Sequence, residues 1–140
     1  MPVRSASAEW NGGLKDGRGS FQMESGIASK YSFTSRFGEG GASNPEELLA
    51  AAEAACYSMA LSGNLEKAGA KDIRVKSDAK CTVEKVGEQM TVTSIVMDVR
   101  VIAVGIDDAK LLQLAEETRK GCPVSRALTG TKIEVKASLA

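Results

Sequence analysis

From Ile73 to Val83 the chain alternates, with Ile73, Val75, Ser77, Ala79, Cys81 and Val83 set against Arg74, Lys76, Asp78, Lys80 and Thr82. A period of two predicts a strand with one buried face. Gly87-Glu88 reads as a turn and Met90 to Val104 as a second long strand, with Ile95, Met97, Val99 and Val101 on one face, so the two make a hairpin. Upstream, residues 3–10, 18–25 and 29–37 are short runs of apolar and hydroxyl residues. Turn signals at Asn11-Gly12-Gly13, Asp16-Gly17 and Ser25-Gly26 divide them, the pattern of an antiparallel meander. A Gly-rich loop, Gly38 to Ala42, then leads into Ser43-Asn44-Pro45-Glu46-Glu47. That segment places a capping residue before Pro and acids in the first turn of a helix.

This helix is expected to run to about Ala68, where Gly69 supplies a left-handed stop. Its middle, Leu48 to Leu61, has Glu53 as its one charge and Ala at 50, 51, 52, 54, 55 and 60. A helix apolar nearly all round must be covered on most sides, so this segment reads as the central helix of the fold. Asp107 or Asp108 opens an amphipathic helix, Ala109 to Lys120, with Leu111, Leu112, Leu114 and Ala115 as its stripe and Gly121 as its stop. Cys122-Pro123 begins another short helix ending before Gly130, and Thr131 to Ala137 is a last strand with Ile133, Val135 and Ala137 inward. With no repeat, linker or low-complexity tract, the expectation is a single α+β domain over residues 1–140, with antiparallel sheets packed around a long central helix.

Composition narrows the chemistry. Eighteen Lys plus Arg balance eighteen Asp plus Glu, without the basic excess that a nucleic-acid surface shows. No run approaches the ~18 apolar residues that cross a bilayer, and Met1 to Trp10 lacks the apolar middle of a secretory signal, so the chain reads as soluble and cytoplasmic. There is no His, which removes imidazole catalysis, a Cys-His dyad and His-ligated metal. Three Cys without a CxxC spacing suit neither a closed disulfide framework nor a zinc site, so no metal or cofactor is expected.

The thiols therefore carry any chemistry. Cys56 lies mid-helix in Ala54-Ala55-Cys56-Tyr57-Ser58-Met59, and Cys122 lies where one helix stops and another starts. A buried Cys is often a small hydrophobe, and Cys81, on the inward face of its strand, reads that way, with an apolar setting that should raise its pKa. Cys122 is different, because a thiol at a helix N-terminus faces unpaired N–H groups that favour the thiolate. What remains is redox chemistry in which one cysteine attacks an oxidant and a second condenses with the sulfenic acid. Two other readings stay open: a redox-silent pocket for an apolar ligand, lined by the Ala-rich helix, and a redox-sensing interaction protein.

Asn44-Pro45-Glu46-Glu47-Leu48, running through Ala54-Ala55-Cys56-Tyr57-Ser58-Met59-Ala60-Leu61, together with Gly121-Cys122-Pro123-Val124-Ser125, resembles the osmotically inducible and organic hydroperoxide resistance (OsmC/Ohr) family of peroxidases. Glu9-Trp10, Glu24-Ser25-Gly26, Arg36-Phe37 and Val104-Gly105-Ile106-Asp107 extend the likeness over nearly the whole chain and favour the OsmC branch. The resemblance implies an intertwined homodimer with two active sites at the subunit interface. It also implies reduction of organic hydroperoxides to alcohols and an external dithiol or lipoylated protein as reductant, in oxidative and osmotic stress defence.

Under the resemblance Cys56 is the peroxidatic nucleophile, Cys122 the resolving cysteine, and Arg36 and Glu46 assist. A permanent cation would offset the desolvation of a mid-helix thiolate, and a carboxylate can hold that guanidinium by a bidentate bond. Glu46 and Cys56, ten residues apart, are separated by roughly 15 Å along a continuous helix and cannot touch. In the Ohr branch the Arg lies in an early Gly-rich loop, nearest here to Arg18 or to the non-Arg positions Leu14 and Lys15. Glu53 stands where some OsmC members have His.

Overall fold

The computed structural model describes residues 1–140. Their contacts form two compact units, Met1–Leu48 and Leu49–Ala140.

The first unit opens with strands β1 (Ala6–Asn11), β2 (Arg18–Met23) and β3 (Ala28–Tyr31), paired antiparallel in that order as the turn signals predict. Trp10 and Tyr31 both stand opposite Gly19 of the central strand, and their rings meet over it at 5.4 Å between centroids. A Cβ at Gly19 would lie 2.5 Å from the Tyr31 ring and 2.7 Å from that of Trp10, so the missing side chain makes room for both aromatics.

The run expected to stay extended to residue 37 stops at Tyr31 and becomes helix α1 (Phe33–Phe37). Ser32 is its cap: the Ser35 backbone N–H donates to Ser32 Oγ at 3.1 Å, and the Ser32 N–H donates to Ser35 Oγ at 2.8 Å. This reciprocal pair satisfies two orphan donors, which outweighs the extended preference of the flanking aromatics.

Helix α2 (Pro45–Lys67) crosses the division between the units, which falls after Leu48. Asn44 Oδ1 accepts from the Glu47 N–H at 2.8 Å, the cap that the sequence signals. At the far end Gly69 has φ +92° and the Ala70 N–H reaches back to the Leu65 carbonyl, closing the left-handed stop.

In the second unit β4 (Lys71–Val86) and β5 (Gln89–Val104) form the long hairpin. The expectation of purely antiparallel sheets fails at β6 (Lys132–Leu139), which pairs parallel to β5. Helices α3 (Asp108–Gly121) and α4 (Pro123–Ala127) lie between these strands in sequence and carry the chain back so that β6 enters in the same direction as β5.

Ile95, Met97, Val99 and Val101 of β5 are fully buried and pack with Tyr57, Leu61 and Leu65 of α2 and Leu111 and Leu114 of α3. Leu112, expected in the α3 stripe, is 57% exposed; Thr118 takes the fourth buried position beside Leu111, Leu114 and Ala115. Polar ties accompany the packing. The Tyr57 hydroxyl donates to the Ala115 carbonyl at 2.8 Å, and Asn64 Nδ2 to Thr118 Oγ1 at 2.8 Å.

Helix α2 is covered along one stripe of residues four apart, Glu53, Tyr57, Leu61 and Leu65. Ala51, Ala52, Ala55 and Met59 are exposed in the single chain, against the expectation of cover on most sides. No helix is long and apolar enough to cross a membrane.

Candidate active site

Helix α2 presents Cys56 one residue before the buried Tyr57, and the junction of α3 with α4 presents Cys122, which is 1% exposed. Pro123 cannot supply an N–H to continue α3, so the chain turns at Cys122 and restarts as α4. The turn brings the two sulfurs together. Cys122 Sγ donates to Cys56 Sγ at 3.1 Å, both as free thiols, against about 2.05 Å for a disulfide bond.

Burial is the first cause that pushes the Cys56 thiol above its ordinary pKa, and the contact with Cys122 is the second. The Val124 N–H, hydrogen-bonded to Cys56, pulls the other way, while negative charge on Cys122 and Glu53 adds to the rise. The sequence pointed to Cys122 as the thiol served by a helix start. Here an N–H of the first turn of α4 serves Cys56 instead, and Cys122 makes no side-chain capping bond.

Three residues from each sulfur is a second contact. Glu53 of α2 is fully buried, and Ser125 of α4, 7% exposed, donates its hydroxyl to Glu53 Oε1. Glu53 Oε2 is the one buried side-chain oxygen or nitrogen in the chain without a hydrogen bond. The sequence marked Glu53 as the lone charge of an apolar stretch but did not pair it with Ser125. The matching offsets, Glu53 to Cys56 and Cys122 to Ser125, are the signal that could have found the pair.

Arg36 and Glu46 meet within the first unit. Arg36 Nε donates to the two Glu46 carboxylate oxygens at 3.0 and 3.2 Å, and Nη2 donates to Oε1 at 2.8 Å. The Glu46 side chain is 7% exposed and that of Arg36 37%. Local structure sets this pair. Asn44 caps α2 with its oxygen and donates its Nδ2 to the Ser35 carbonyl at 3.1 Å, tying α1 to the start of α2. The Arg36 guanidinium also lies 4.9 Å from the Phe37 ring centroid.

Arg18 is occupied locally, donating to the Gly17 carbonyl at 2.8 Å and the Asp16 carbonyl at 3.3 Å. Cys81 packs half-buried against the core cluster of the second unit. No group of three or more His, Cys, Asp or Glu side chains converges to hold a metal ion.

The four sequence-predicted site residues thus fall into two pairs, a thiol pair in one unit and an ion pair in the other. The thiol pair can pass between dithiol and disulfide, and the ion pair presents a guanidinium with its fork fixed.

Residues 38–137 match the model of the OsmC-like protein family. The chain is 38% identical over 128 residues to a peroxiredoxin OsmC of Escherichia coli strain K12, covering 89% of each protein. It is 32% identical over 104 residues to an organic hydroperoxide resistance protein of Xanthomonas axonopodis pv. citri, covering 72% of this chain and 69% of that one. A solved OsmC-like protein of unknown function from Vibrio cholerae superposes with a TM-score of 0.75 at 14% identity, over 99% of this chain and all of that one, a likeness of fold. By its matched family segment and by its identity to these relatives, the chain belongs to the OsmC-like family.

Proposed function

We propose that this chain is a cysteine-based peroxidase that reduces organic hydroperoxides to alcohols, acting as a single-domain subunit of a cytoplasmic homodimer. The observation that carries the reading is the 3.1 Å separation of Cys56 and Cys122 sulfurs. In the first step the Cys56 thiolate attacks the O–O bond, giving Cys56 sulfenic acid and an alkoxide that takes a proton to leave as alcohol. In the second, the Cys122 thiol condenses with the sulfenic acid; the S–S bond forms, the S–O bond breaks and water leaves. An external dithiol, free or carried on a lipoylated protein, then reduces the disulfide and is itself oxidised. Relatives named peroxiredoxin and organic hydroperoxide resistance protein support the assignment of substrate class.

Arg36 is assigned as the cation that opposes the upward push of burial on Cys56, and Glu46 as the carboxylate that fixes it. The bidentate bond supports the second role, a guanidinium fixed by Glu46. A guanidinium remains charged at any working pH and can donate to a peroxide oxygen. The homodimer is supported by what one chain leaves uncovered. No buried apolar residue of the core lies within Met1–Leu48, and Ala51, Ala52, Ala55 and Met59 of α2 face outward. A second copy would bury such surface. For the ligand-binding alternative, the first unit offers an apolar cleft of ≈ 110 Å³ lined by Ala8, Phe21, Tyr31, Pro45 and Leu48. That is well short of the ~300 Å³ at which ligand pockets begin. A larger cleft of the same unit, ≈ 540 Å³, is lined mostly by polar residues, Ser7, Glu9, Ser20, Gln22, Ser29 and Lys30, rather than by an apolar wall.

The test is to mix reduced protein with cumene hydroperoxide and follow thiol loss and peptide masses. A Cys56–Cys122 disulfide should form, Cys122→Ser should stop at Cys56 sulfenic acid, and Cys56→Ser should be inert. A Cys56→Ser protein as active as wild type, with no such disulfide, would overturn the reading.

A further inference from the structure

Glu53 is an expensive residue where it stands. It is fully buried, it is the one charge between Leu48 and Leu61, and one of its two carboxylate oxygens has no hydrogen bond. Native proteins leave few such groups, because a buried polar atom without a partner forfeits its hydration. Nothing in the packing of the α2 stripe calls for an acid, since its other buried positions, Tyr57, Leu61 and Leu65, fill the core with apolar bulk. What distinguishes position 53 is its neighbour. The Ser125 hydroxyl donates to Glu53 Oε1, one turn from the place where Cys122 Sγ meets Cys56 Sγ.

The two contacts form a ladder. Going back three residues on α2, from Cys56 to Glu53, corresponds to going forward three on α4, from Cys122 to Ser125, so the helices meet antiparallel through two rungs. Helix α4 has only five residues, and its N-cap, Cys122, makes no side-chain capping bond. The thiol contact must break and re-form as the sulfurs change oxidation state. The Glu53–Ser125 contact involves no redox atom.

We infer that Glu53 and Ser125 are positioning residues that hold the first turn of α4 on α2, so that the Cys56 and Cys122 sulfurs stay within bonding reach whichever oxidation state they are in. This deepens the proposed peroxidase cycle and rests on that reading for its purpose, though not for its measurement. The rung lowers the freedom that the reduced pair loses on closing, and so favours the disulfide. Negative charge on Glu53 is also one of the causes that raise the Cys56 pKa. The titratable groups acting on Cys56 are Cys122 and Glu53, and those acting on the adjacent Tyr57 are Glu116, Cys122, Glu53 and Arg119.

The test uses the full chain without peroxide. Wild type, Ser125→Ala, Ser125→Thr and Glu53→Gln are equilibrated in dithiothreitol redox buffers, and the Cys56–Cys122 disulfide is quantified by mass after alkylation. Ser125→Ala should shift the dithiol–disulfide equilibrium about tenfold toward the dithiol, a rise of about 30 mV in potential. Ser125→Thr, which keeps the hydroxyl, should restore it. If Ser125→Ala does not fold, Ser125→Val against Ser125→Thr makes the same comparison at matched shape. Glu53→Gln, which keeps an oxygen acceptor but loses the charge, should move the pH midpoint of Cys56 alkylation downward, a change that a packing defect would not produce. A wild-type equilibrium in Ser125→Ala, an unrestored one in Ser125→Thr, or an unmoved midpoint in Glu53→Gln, would overturn the inference. Failure of the wild type to consume peroxide would instead sink the proposed cycle and leave these equilibria readable.

Discussion

Replacing Tyr57 by Phe removes one oxygen atom from the centre of the second unit, and the consequence can be worked through in pH. The Tyr57 ring is fully buried and its hydroxyl donates to the Ala115 carbonyl at 2.8 Å, bolting α2 to α3 just before the latter delivers Cys122. Loss of that bond should cost about 1 kcal/mol near neutral pH. Burial first, with Glu116, Cys122 and Glu53 adding to it and Arg119 opposing, drives the Tyr57 pKa far above its ordinary value. The unfolded chain ionises its tyrosine near pH 10, whereas the folded chain keeps this one protonated. The unfolded state therefore binds fewer protons above about pH 10, and stability falls as pH rises, by about 1.4 kcal/mol per unit. The stabilisation from a protonated Tyr57 is complete below pH 10 and drains away above it. The Phe variant has no such term, so its deficit of about 1 kcal/mol should close, and the two stabilities should cross just below about pH 11. Urea unfolding at fixed protein concentration, from pH 8 to 11.5, measures this directly. If the two proteins keep a constant difference across that range, the tyrosine does not ionise on unfolding and the account of its burial is wrong.

Two further outcomes are expected. Gly19→Ala must push apart the Trp10 and Tyr31 rings, costing about 1–3 kcal/mol, and the fluorescence of Trp10, the sole tryptophan, should change with the lowered melting point. Arg36→Lys replaces a guanidinium fork by a point charge that cannot grip both Glu46 oxygens, so stability should fall by about 1 kcal/mol. Peroxide consumption should slow at the same time, while diamide still drives the Cys56–Cys122 disulfide; equal loss of both reactions would refute the separate role given to the cation.

Legibility in the sequence followed how local each cause was. The β4–β5 hairpin could be read because a period of two survives from Ile73 to Val83 in β4 and from Ile95 to Ala103 in β5, and the start of α2 because Asn44 and Pro45 act within one turn. Helix α1 was missed because its box uses Ser35 where Glu or Gln is the usual signal, inside a run whose aromatics favour strand. The direction of β6 was invisible, since alternation reports which face is inward and not which way a strand runs. Cys56 and Cys122 were legible as a motif pair from the family resemblance. The Glu53–Ser125 contact was not, because it joins residues 72 apart and only the fold sets their distance.

The parallel entry of β6 also bears on the order in which the second unit can be completed. The β4–β5 hairpin closes through a two-residue turn, but β5 gains its other neighbour only after residues 105–131 have wound through α3 and α4. Until then the far edge of β5, Ser94 to Val101, offers unsatisfied amides beside the most apolar side chains of the protein. Such an edge templates pairing with other chains. Shortening the protein before Lys132 should therefore turn a well-behaved sheet into an aggregating one, with the hairpin itself still formed.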